Sequence, residues 1–368
     1  MKQHYIMARS PNCGIGDHLS TVLGTWHYAK QTGRTLLIDW RGSRFNQRPG
    51  HNCFFDYFQT TDHIGNVPVI ADDFVIDHAL EGPWYDAKWT PENITATQHV
   101  PHTEEEILAI HRMILQTEPR PEPTIIVNQH LTLPQNPEVI KHALADIQFH
   151  PRYQEAALRI HEEQAPGSAL IGIHIRHGNG ENIGGRVAYW LDGLDLFRQL
   201  RRNRKKSIHQ KQNTGRFLDN MPPCLTAVRS NTKTERYLYK QIRQIFTRLA
   251  GQLDTPAKPL LLTDAPQVVE GLSRELPDLI RFDSNLLPAG LGPLHQIDSR
   301  SHLVKNTQTT TDDMFTELAL LRRCQAVVCI PSQFTLLTRN ELPTHQTVSL
   351  QTTLINRAIT KLAYKFPF

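Results

Sequence analysis

The fold of this chain is decided by one stretch, Ala169-Leu170-Ile171-Gly172-Ile173-His174-Ile175-Arg176-His177-Gly178-Asn179-Gly180-Glu181. Its first half is almost entirely apolar, which is typical of a strand buried on both faces of a parallel sheet. It then changes to charged residues, polar residues and glycines. Because ligands of open α/β sheets bind beyond the carboxyl ends of the strands, the stretch predicts a buried strand that ends at a ligand site.

Arg176 is the candidate ligand-binding residue at this strand end, where His174 and His177 flank it. A guanidinium group presents a fixed fork of donors that matches phosphate oxygens, and it stays charged at cellular pH. A single strand-end arginine can equally pair with a surface carboxylate. The assignment to an anionic ligand therefore depends on whether other strands end in a similar way.

Two later predicted strands also end in polar residues. The strand at 260–262 is followed by Thr263-Asp264, and the strand at 326–330 is followed by Ser332-Gln333, where another helix begins. An arginine, a carboxylate and a hydroxyl–amide pair at a helix N terminus suit a nucleoside diphosphate. The arginine and the helix terminus neutralise phosphate, and Asp264 can bond a ribose or a base.

Composition excludes several classes of protein. The 368 residues include 40 Lys and Arg against 36 Asp and Glu, for a net charge of +4. The length suits two domains, and the balanced charge predicts no nucleic-acid partner. Five unpatterned cysteines indicate reduced thiols and a cytoplasmic location. We find no signal peptide and no apolar run near the roughly 18 residues that span a bilayer, so we expect a soluble protein.

A βαβ unit is predicted at the N terminus. A strand at 5–8 leads into the glycine turn Gly14-Ile15-Gly16-Asp17, then a helix that stops at Gly33 and a second strand at 34–40. We expect Asp17 to cap the helix, and Gly14 and Gly16 to expose backbone N–H groups to a phosphate. By itself this turn is weak evidence for a phosphate site, because it lacks the third glycine of the dinucleotide fingerprint.

Strands at 67–70 and 124–127 are expected to join the same sheet. Residues 77–103, which lie between them, are predicted to be irregular and are rich in Trp, Tyr and His. Such aromatic residues either line a sugar site or pin a loop to the core, and the sequence leaves both interpretations open.

The fold class predicted from these patterns is α/β, with two Rossmann-like lobes. After two helices, at 137–147 and 153–163, we place a boundary that gives an N-terminal lobe at 1–165 and a C-terminal donor-nucleotide lobe at 166–368. The second lobe carries a basic, polar insertion at 201–236, which we expect to be solvated. Weak contact of residues 201–216 with an anionic membrane surface stays open.

Three blocks resemble the α1,6-fucosyltransferases of glycosyltransferase family 23, and within it the rhizobial nodulation enzymes. The first joins the glycine turn to residues 32–43, Thr-Gly-Arg-Thr-Leu-Leu-Ile-Asp-Trp-Arg-Gly-Ser. The second is the strand end at 171–181, and the third links Thr263-Asp264 to Asp313-Met314 and Ser332-Gln333. The resemblance spans about residues 5–340 and departs at the insertion and the C terminus, which leaves the acceptor in doubt.

The resemblance implies a GT-B-like architecture in which the second lobe holds GDP-fucose and the first lies on the acceptor side. Arg176, helped by His174 and beside His177, would bind the diphosphate. Ser332 and Gln333 would contact the β-phosphate, and Asp313 would lie near the guanine. The turn from Gly14 to Asp17 would close on the donor.

The expected chemistry is inverting and needs no metal or other cofactor. Departure of GDP builds negative charge on the β-phosphate, and the sequence contains no Asp-x-Asp motif to hold a metal there. Arg176 and backbone N–H groups supply the same electrostatic stabilisation. A base must take the proton of the acceptor hydroxyl. Glu181, Asp17 and His177 are candidates; we favour Glu181, although a loop-surface carboxylate explains that residue equally well.

The implied reaction transfers L-fucose from GDP-fucose to the 6-hydroxyl of a GlcNAc-containing oligosaccharide, of chitooligosaccharide or lipo-chitooligosaccharide type. One alternative is a fucosyltransferase of another linkage that acts on lipopolysaccharide or capsule. A second is a non-catalytic nucleotide- or nucleic-acid-binding protein that uses the basic insertion.

Overall fold

The computed structural model describes residues 4–9, 14–43, 45–48, 50–85, 88–94, 102–129, 131, 137–175, 232–263, 266–281, 307–329, 333–335, 342 and 346–350. The strands are β1 (Tyr5–Arg9), β2 (Thr35–Asp39), β3 (Phe58–Gln59), β4 (His63–Ile64), β5 (Val67–Ile70), β6 (Trp84–Tyr85), β7 (Thr124–Val127), β8 (Gln148–Phe149), β9 (Ala169–Ile175), β10 (Ala257–Thr263), β11 (Ile280–Arg281), β12 (Ala326–Cys329) and β13 (Thr347–Ser349). The helices are α1 (Ile15–Thr32), α2 (Phe54–Tyr57), α3 (Asp73–Ala79), α4 (Pro91–Ile94), α5 (Glu104–Gln116), α6 (Pro137–Asp146), α7 (Pro151–Gln164), α8 (Thr232–Ala250), α9 (Pro266–Glu275) and α10 (Thr307–Arg322), with a 3₁₀ helix at Gln333–Thr335.

The first sheet, as far as the described residues show it, has the strand order β4-β5-β2-β1-β7-β6. β1 pairs in parallel with β2 on one side, where Arg9 lies opposite Asp39, and with β7 on the other. The predicted βαβ unit is confirmed, as are the strands at 67–70 and 124–127. Because the order reverses at β1, the carboxyl end of this strand is where doubly wound folds bind ligands.

The second sheet has the order β11-β10-β9-β12-β13, and its described pairs are parallel. All seven residues of β9 are buried, as the near-continuous apolar run predicts. The predicted strand is therefore confirmed, and it lies at the centre of its sheet.

Each sheet packs its own core. Met7, Leu37 and Ile126 extend from neighbouring strands of the first sheet into a cluster with Ile76 of α3 and Trp89. In the second sheet Ile171, Ile173 and Ile175 share one face of β9, and residues of α8 and α9 cover that face. The alternation along β9 leaves Gly172 and His174 on the opposite face.

The chain divides into two compact units. The first comprises Met1–Arg159, Asn306–Arg322 and Ser332–Glu341, and the second Ile160–Lys305, Arg323–Pro331 and Leu342–Phe368. The predicted second lobe, at 166–368, includes α10 and the 3₁₀ helix, whereas the structure groups both with the first unit. The assignment of acceptor and donor roles to the two lobes stays a prediction.

The segment at 77–103 is more regular than predicted, since it contains the end of α3, β6 and α4. The sequence analysis also missed α5, although its start is well marked. Thr103 accepts a hydrogen bond from the backbone N–H of Glu106, whose side chain accepts one from the N–H of Thr103. This reciprocal capping box fixes the first turn. Within the described part of the chain, no helix is long and apolar enough to span a bilayer.

Gly271 on α9 is required by close packing against Tyr239 on α8, because a methyl group on Gly271 would overlap the tyrosine ring. We expect Gly271→Ala to lower the free energy of unfolding by about 1–3 kcal/mol, the usual cost of overpacking. Urea denaturation measures this change in the free energy of unfolding. Gly251→Ala is the matched control, since its nearest neighbour would lie at an ordinary 3.5 Å. Equal losses in the two variants would show that the ring contact is not decisive.

Candidate functional site

The carboxyl ends of three strands lie side by side at one edge of the second sheet. β9 lies between β10 and β12, and His174 lies opposite both Leu262 and Cys329. The hydroxyl of Thr263 donates to the carbonyl of Ile175 at 2.7 Å, which ties the last residue of β10 to that of β9. The three strands that the sequence predicts to end in polar residues are thus neighbours in one sheet.

Of the residues predicted at this edge, His174 is described and is 5% exposed. It lies on the face of β9 opposite the apolar core, one residue before the strand ends. Five other predicted residues fall outside the described residues, and their roles stay predictions: Arg176, His177, Glu181, Asp264 and Ser332. The backbone of Gln333 begins the 3₁₀ helix, and its side chain is likewise not described.

The glycine turn lies at the N terminus of α1 in the first unit. Gly14 is the N-cap residue, with φ −75° and ψ 167°, and being a glycine it makes no side-chain capping hydrogen bond. The prediction that Asp17 is the cap is wrong, because the helix begins at Ile15 and places Asp17 within its first turn. There its carboxylate still interacts favourably with the positive end of the helix dipole. Gly16 is buried in the same turn.

The 3₁₀ helix at Gln333–Thr335 packs against α1, and both belong to the first unit. Thr335 is fully buried there. The structure thus brings the segment after β12 to the helix that begins at the glycine turn. These are two of the chain segments that the sequence analysis assigned to phosphate binding.

His18 forms a network behind the glycine turn that the sequence analysis missed. Its Nδ1 lies 3.1 Å from the carbonyl oxygen of Gly14, and its Nε2 lies 3.1 Å from the hydroxyl of Ser43. The ring is fully buried and meets Trp40 and Phe45 edge-on at centroid distances of 5.1 and 5.3 Å. A signal existed in the sequence, since His18 directly follows the turn and Ser43 ends the block at 32–43.

A buried charge cluster, also missed, lies at the carboxyl ends of β1 and β2. The Arg9 Nε donates to Asp39 at 3.0 Å, and the Arg41 Nε donates to the other carboxylate oxygen at 2.9 Å. Arg41 also reaches Asp77 at 2.6 Å, and the Arg9 guanidinium stacks over Trp89. Burial alone would raise the pKa of Asp39, but the two guanidinium groups hold it below its usual value.

Asp312 and Asp313 have different surroundings on α10. The Tyr153 hydroxyl donates to Asp312 at 2.6 Å, and Arg152 lies 3.4 Å from the same oxygen. Asp313 is half-buried, and its carboxylate makes no hydrogen bond or ion pair with the described residues. Of the two carboxylates, only that of Asp313 is thus left without a partner among the described residues.

The aromatic residues of the segment at 77–103 are held by the protein itself. Trp89 is 4% exposed in the core of the first unit, and Arg120 stacks over the ring of Tyr85 at 3.9 Å. Of the two interpretations left open by the sequence, these contacts favour a segment pinned to the core. Among the described residues, no group of three or more His, Cys, Asp or Glu is placed to hold a metal ion.

Known proteins share both the sequence pattern and the fold. The model of the family described as Nodulation protein Z (NodZ) matches residues 2–220. Nodulation protein Z of Bradyrhizobium diazoefficiens is 27% identical over 322 residues, which are 86% of this chain and 73% of that protein.

Two solved structures show the same architecture. The crystal structure of NodZ α1,6-fucosyltransferase co-crystallised with GDP has a TM-score of 0.59 at 22% identity, and covers 93% of this chain and 94% of its own. That of the enzyme soaked with GDP-fucose has a TM-score of 0.58 at 23% identity, with the same coverage. The α/β, GT-B-like fold predicted from the sequence is thereby confirmed.

Proposed function

The chain belongs to the nodulation protein Z family, as its sequence blocks predicted, and we propose that it is a GDP-fucose-dependent α1,6-fucosyltransferase. The likeness to NodZ α1,6-fucosyltransferase structures obtained with GDP and with GDP-fucose supports the donor and the reaction. The acceptor we propose is a GlcNAc-containing oligosaccharide of chitooligosaccharide or lipo-chitooligosaccharide type. The enzyme would require neither a metal nor another cofactor, and it would act in the cytoplasm.

The observation that carries the proposal is the shared edge of β9, β10 and β12. The described strands end in register, with His174 buried between its neighbours, and the sequence then continues into Arg176, Asp264 and Ser332. Parallel strands direct their carboxyl ends to one crevice. That arrangement supports a site where a guanidinium, a carboxylate and a hydroxyl meet one nucleoside diphosphate.

The reaction we propose is a single inverting displacement. The acceptor 6-hydroxyl oxygen forms a bond to C1 of fucose while the bond from C1 to the β-phosphate oxygen breaks, and GDP leaves with the electron pair. Arg176 would stabilise the charge that develops on the β-phosphate, with Ser332 and Gln333 as further donors. Glu181 would accept the hydroxyl proton, with His177 and Asp17 as the alternative bases.

Calorimetric titration with GDP, UDP and ADP, each with EDTA present, tests the donor site. We expect GDP to bind selectively and without metal. An assay with GDP-fucose and chitooligosaccharides then tests the transfer, and the linkage of the product tests the 6-hydroxyl. Failure of all three nucleotides to bind, or a requirement for Mn²⁺, would contradict the proposal. Transfer only to another glycan would support the proposed fucosyltransferase activity and contradict the proposed acceptor.

Asp313 provides a test of base recognition. If its carboxylate accepts the N–H groups of guanine, Asp313→Asn should weaken GDP binding about 10- to 100-fold, the cost of losing charge-assisted hydrogen bonds. Asp312→Asn is the matched control on the same helix, because that carboxylate is engaged by Tyr153 and Arg152. It should change the thermal midpoint and leave GDP affinity unaltered. Equal affinities in the two variants would remove Asp313 from the guanine site.

A further inference from the structure

We propose that His18 is a positioning residue for the donor: it fixes the peptide plane between Gly14 and Ile15, and Ser43 in turn fixes His18. This inference rests on the proposed function, in which the turn from Gly14 to Asp17 contacts the donor. His18 itself is fully buried, so in this proposal it acts through the turn and not by direct contact with the donor.

The partners of the ring define its hydrogen-bonding state. The Gly14 carbonyl oxygen, 3.1 Å from Nδ1, can only accept, so Nδ1 carries a hydrogen. In the neutral ring Nε2 is then an acceptor, and the Ser43 hydroxyl, 3.1 Å away, donates to it. The Ser43 oxygen also accepts the backbone N–H of Phe45 at 3.2 Å. The three groups thus form a directed relay from Ser43 through His18 to Gly14.

The Gly14 carbonyl matters because of the peptide to which it belongs. This oxygen also accepts the N–H groups of Asp17 and His18 at 3.0 and 3.2 Å, so it points into the helix. The peptide is planar and trans, and the N–H of Ile15 therefore points the opposite way, out of the N terminus of α1. A donor group with that direction suits a phosphate oxygen.

Gly14 has no side chain that could hold this plane from its own position, and as the N-cap residue it makes no side-chain capping hydrogen bond. To the two backbone hydrogen bonds that the Gly14 carbonyl accepts, the relay adds a side-chain restraint that extends to the loop after β2. Trp40 and Phe45 also meet the ring edge-on and restrict its movement. The two parts of the first sequence block, the turn at 14–17 and the segment ending at Ser43, are thereby joined by one histidine.

Two substitutions separate the ends of the relay. The amide nitrogen of asparagine lies near the position of Nδ1, so His18→Asn retains the contact with Gly14. The amide nitrogen of glutamine lies near the position of Nε2, so His18→Gln retains only the contact with Ser43, whose hydroxyl oxygen then accepts from the amide. We expect His18→Gln to raise the KM for GDP-fucose and the Kd for GDP about tenfold, and His18→Asn by no more than about threefold. The kcat at saturating donor should fall less than the KM rises.

Ser43→Ala tests the other end of the relay and should raise the same KM. Thr25→Ala is its matched control, because it also deletes a buried hydroxyl, one whose partners among the described residues are carbonyls of α1 itself. It should leave the KM unchanged. If His18→Asn and His18→Gln are folded and equally impaired, or equally normal, the ring acts only through packing and the inference is wrong.

Hydrogen–deuterium exchange of the segment 14–19, measured without ligand, tests the relay independently of the proposed function. We expect faster exchange in His18→Gln and Ser43→Ala than in wild type, and a wild-type rate in His18→Asn. If the wild-type protein does not bind GDP, the proposed function fails, and the exchange rates alone decide whether the relay fixes the turn. Unchanged exchange in every variant would overturn the inference that the relay fixes the turn.

Discussion

Replacing Arg176 with alanine is expected to lower turnover about 100- to 1,000-fold, the usual cost of removing a group that stabilises developing oxyanion charge. In the proposed reaction Arg176 interacts most strongly with the β-phosphate as GDP departs, so the loss should be in kcat more than in the KM for GDP-fucose. Arg176→Lys keeps the charge but loses the two-pronged donor geometry. Its turnover should therefore lie between those of wild type and Arg176→Ala. Initial rates at saturating donor and acceptor provide the measurement.

The control for this experiment is Arg274→Ala. Arg274 is an exposed arginine of α9 that pairs with Glu270 one turn earlier, and its loss should leave turnover unchanged. The far-ultraviolet circular dichroism and the thermal midpoint of Arg176→Ala should match wild type. If the variant instead unfolds, Arg176 has a structural role; if it remains folded and fully active, the donor site lies elsewhere.

Sequence periodicity was sufficient for the central elements. A near-continuous apolar run predicted β9, because a strand covered on both faces of a sheet buries consecutive residues, as all seven of β9 are. The end of α1 was equally clear, because Gly33 adopts the left-handed conformation, with φ 70°, that favours glycine. Its start was misplaced, because capping rules look for a polar side chain and the N-cap here is Gly14.

What the sequence did not reveal depends on contacts between distant residues. Membership of α10 and the 3₁₀ helix in the first unit is a property of tertiary packing, which no local pattern encodes. His18 directly follows the glycine turn in the sequence, but only the structure shows that its ring lies beside Ser43. The pairing of Arg9 with Asp39 was easier to predict from the sequence than the contact of His18 with Ser43. Arg9 and Asp39 end two strands that the βαβ prediction already made parallel neighbours, so their pairing follows from the register.

We expect Asp39→Asn to lower the free energy of unfolding at pH 7 by about 3–5 kcal/mol, the typical cost of removing one partner from a buried ion pair. Asp39 is 1% exposed, and both Arg9 and Arg41 donate to it. The asparagine side chain has nearly the same shape, so no cavity is created. What changes is the charge, and two guanidinium groups are left at the ends of β1 and β2 without the carboxylate that offsets their desolvation.

Asp77→Asn is the matched control, because it removes the other carboxylate of Arg41. The Asp77 side chain is 66% exposed, and an exposed pair contributes about 0–1 kcal/mol. Urea denaturation of both variants at several pH values adds a second criterion. The folded-state pKa of Asp39 is lowered, so its contribution is present above its unfolded-state pKa of about 4 and is lost as the pH falls through the folded-state value. The difference between wild type and Asp39→Asn should therefore shrink as the solution is acidified below pH 4. Equal losses in the two variants at pH 7, or a difference that does not change with pH, would mean that the charge of Asp39 does not hold these strand ends together.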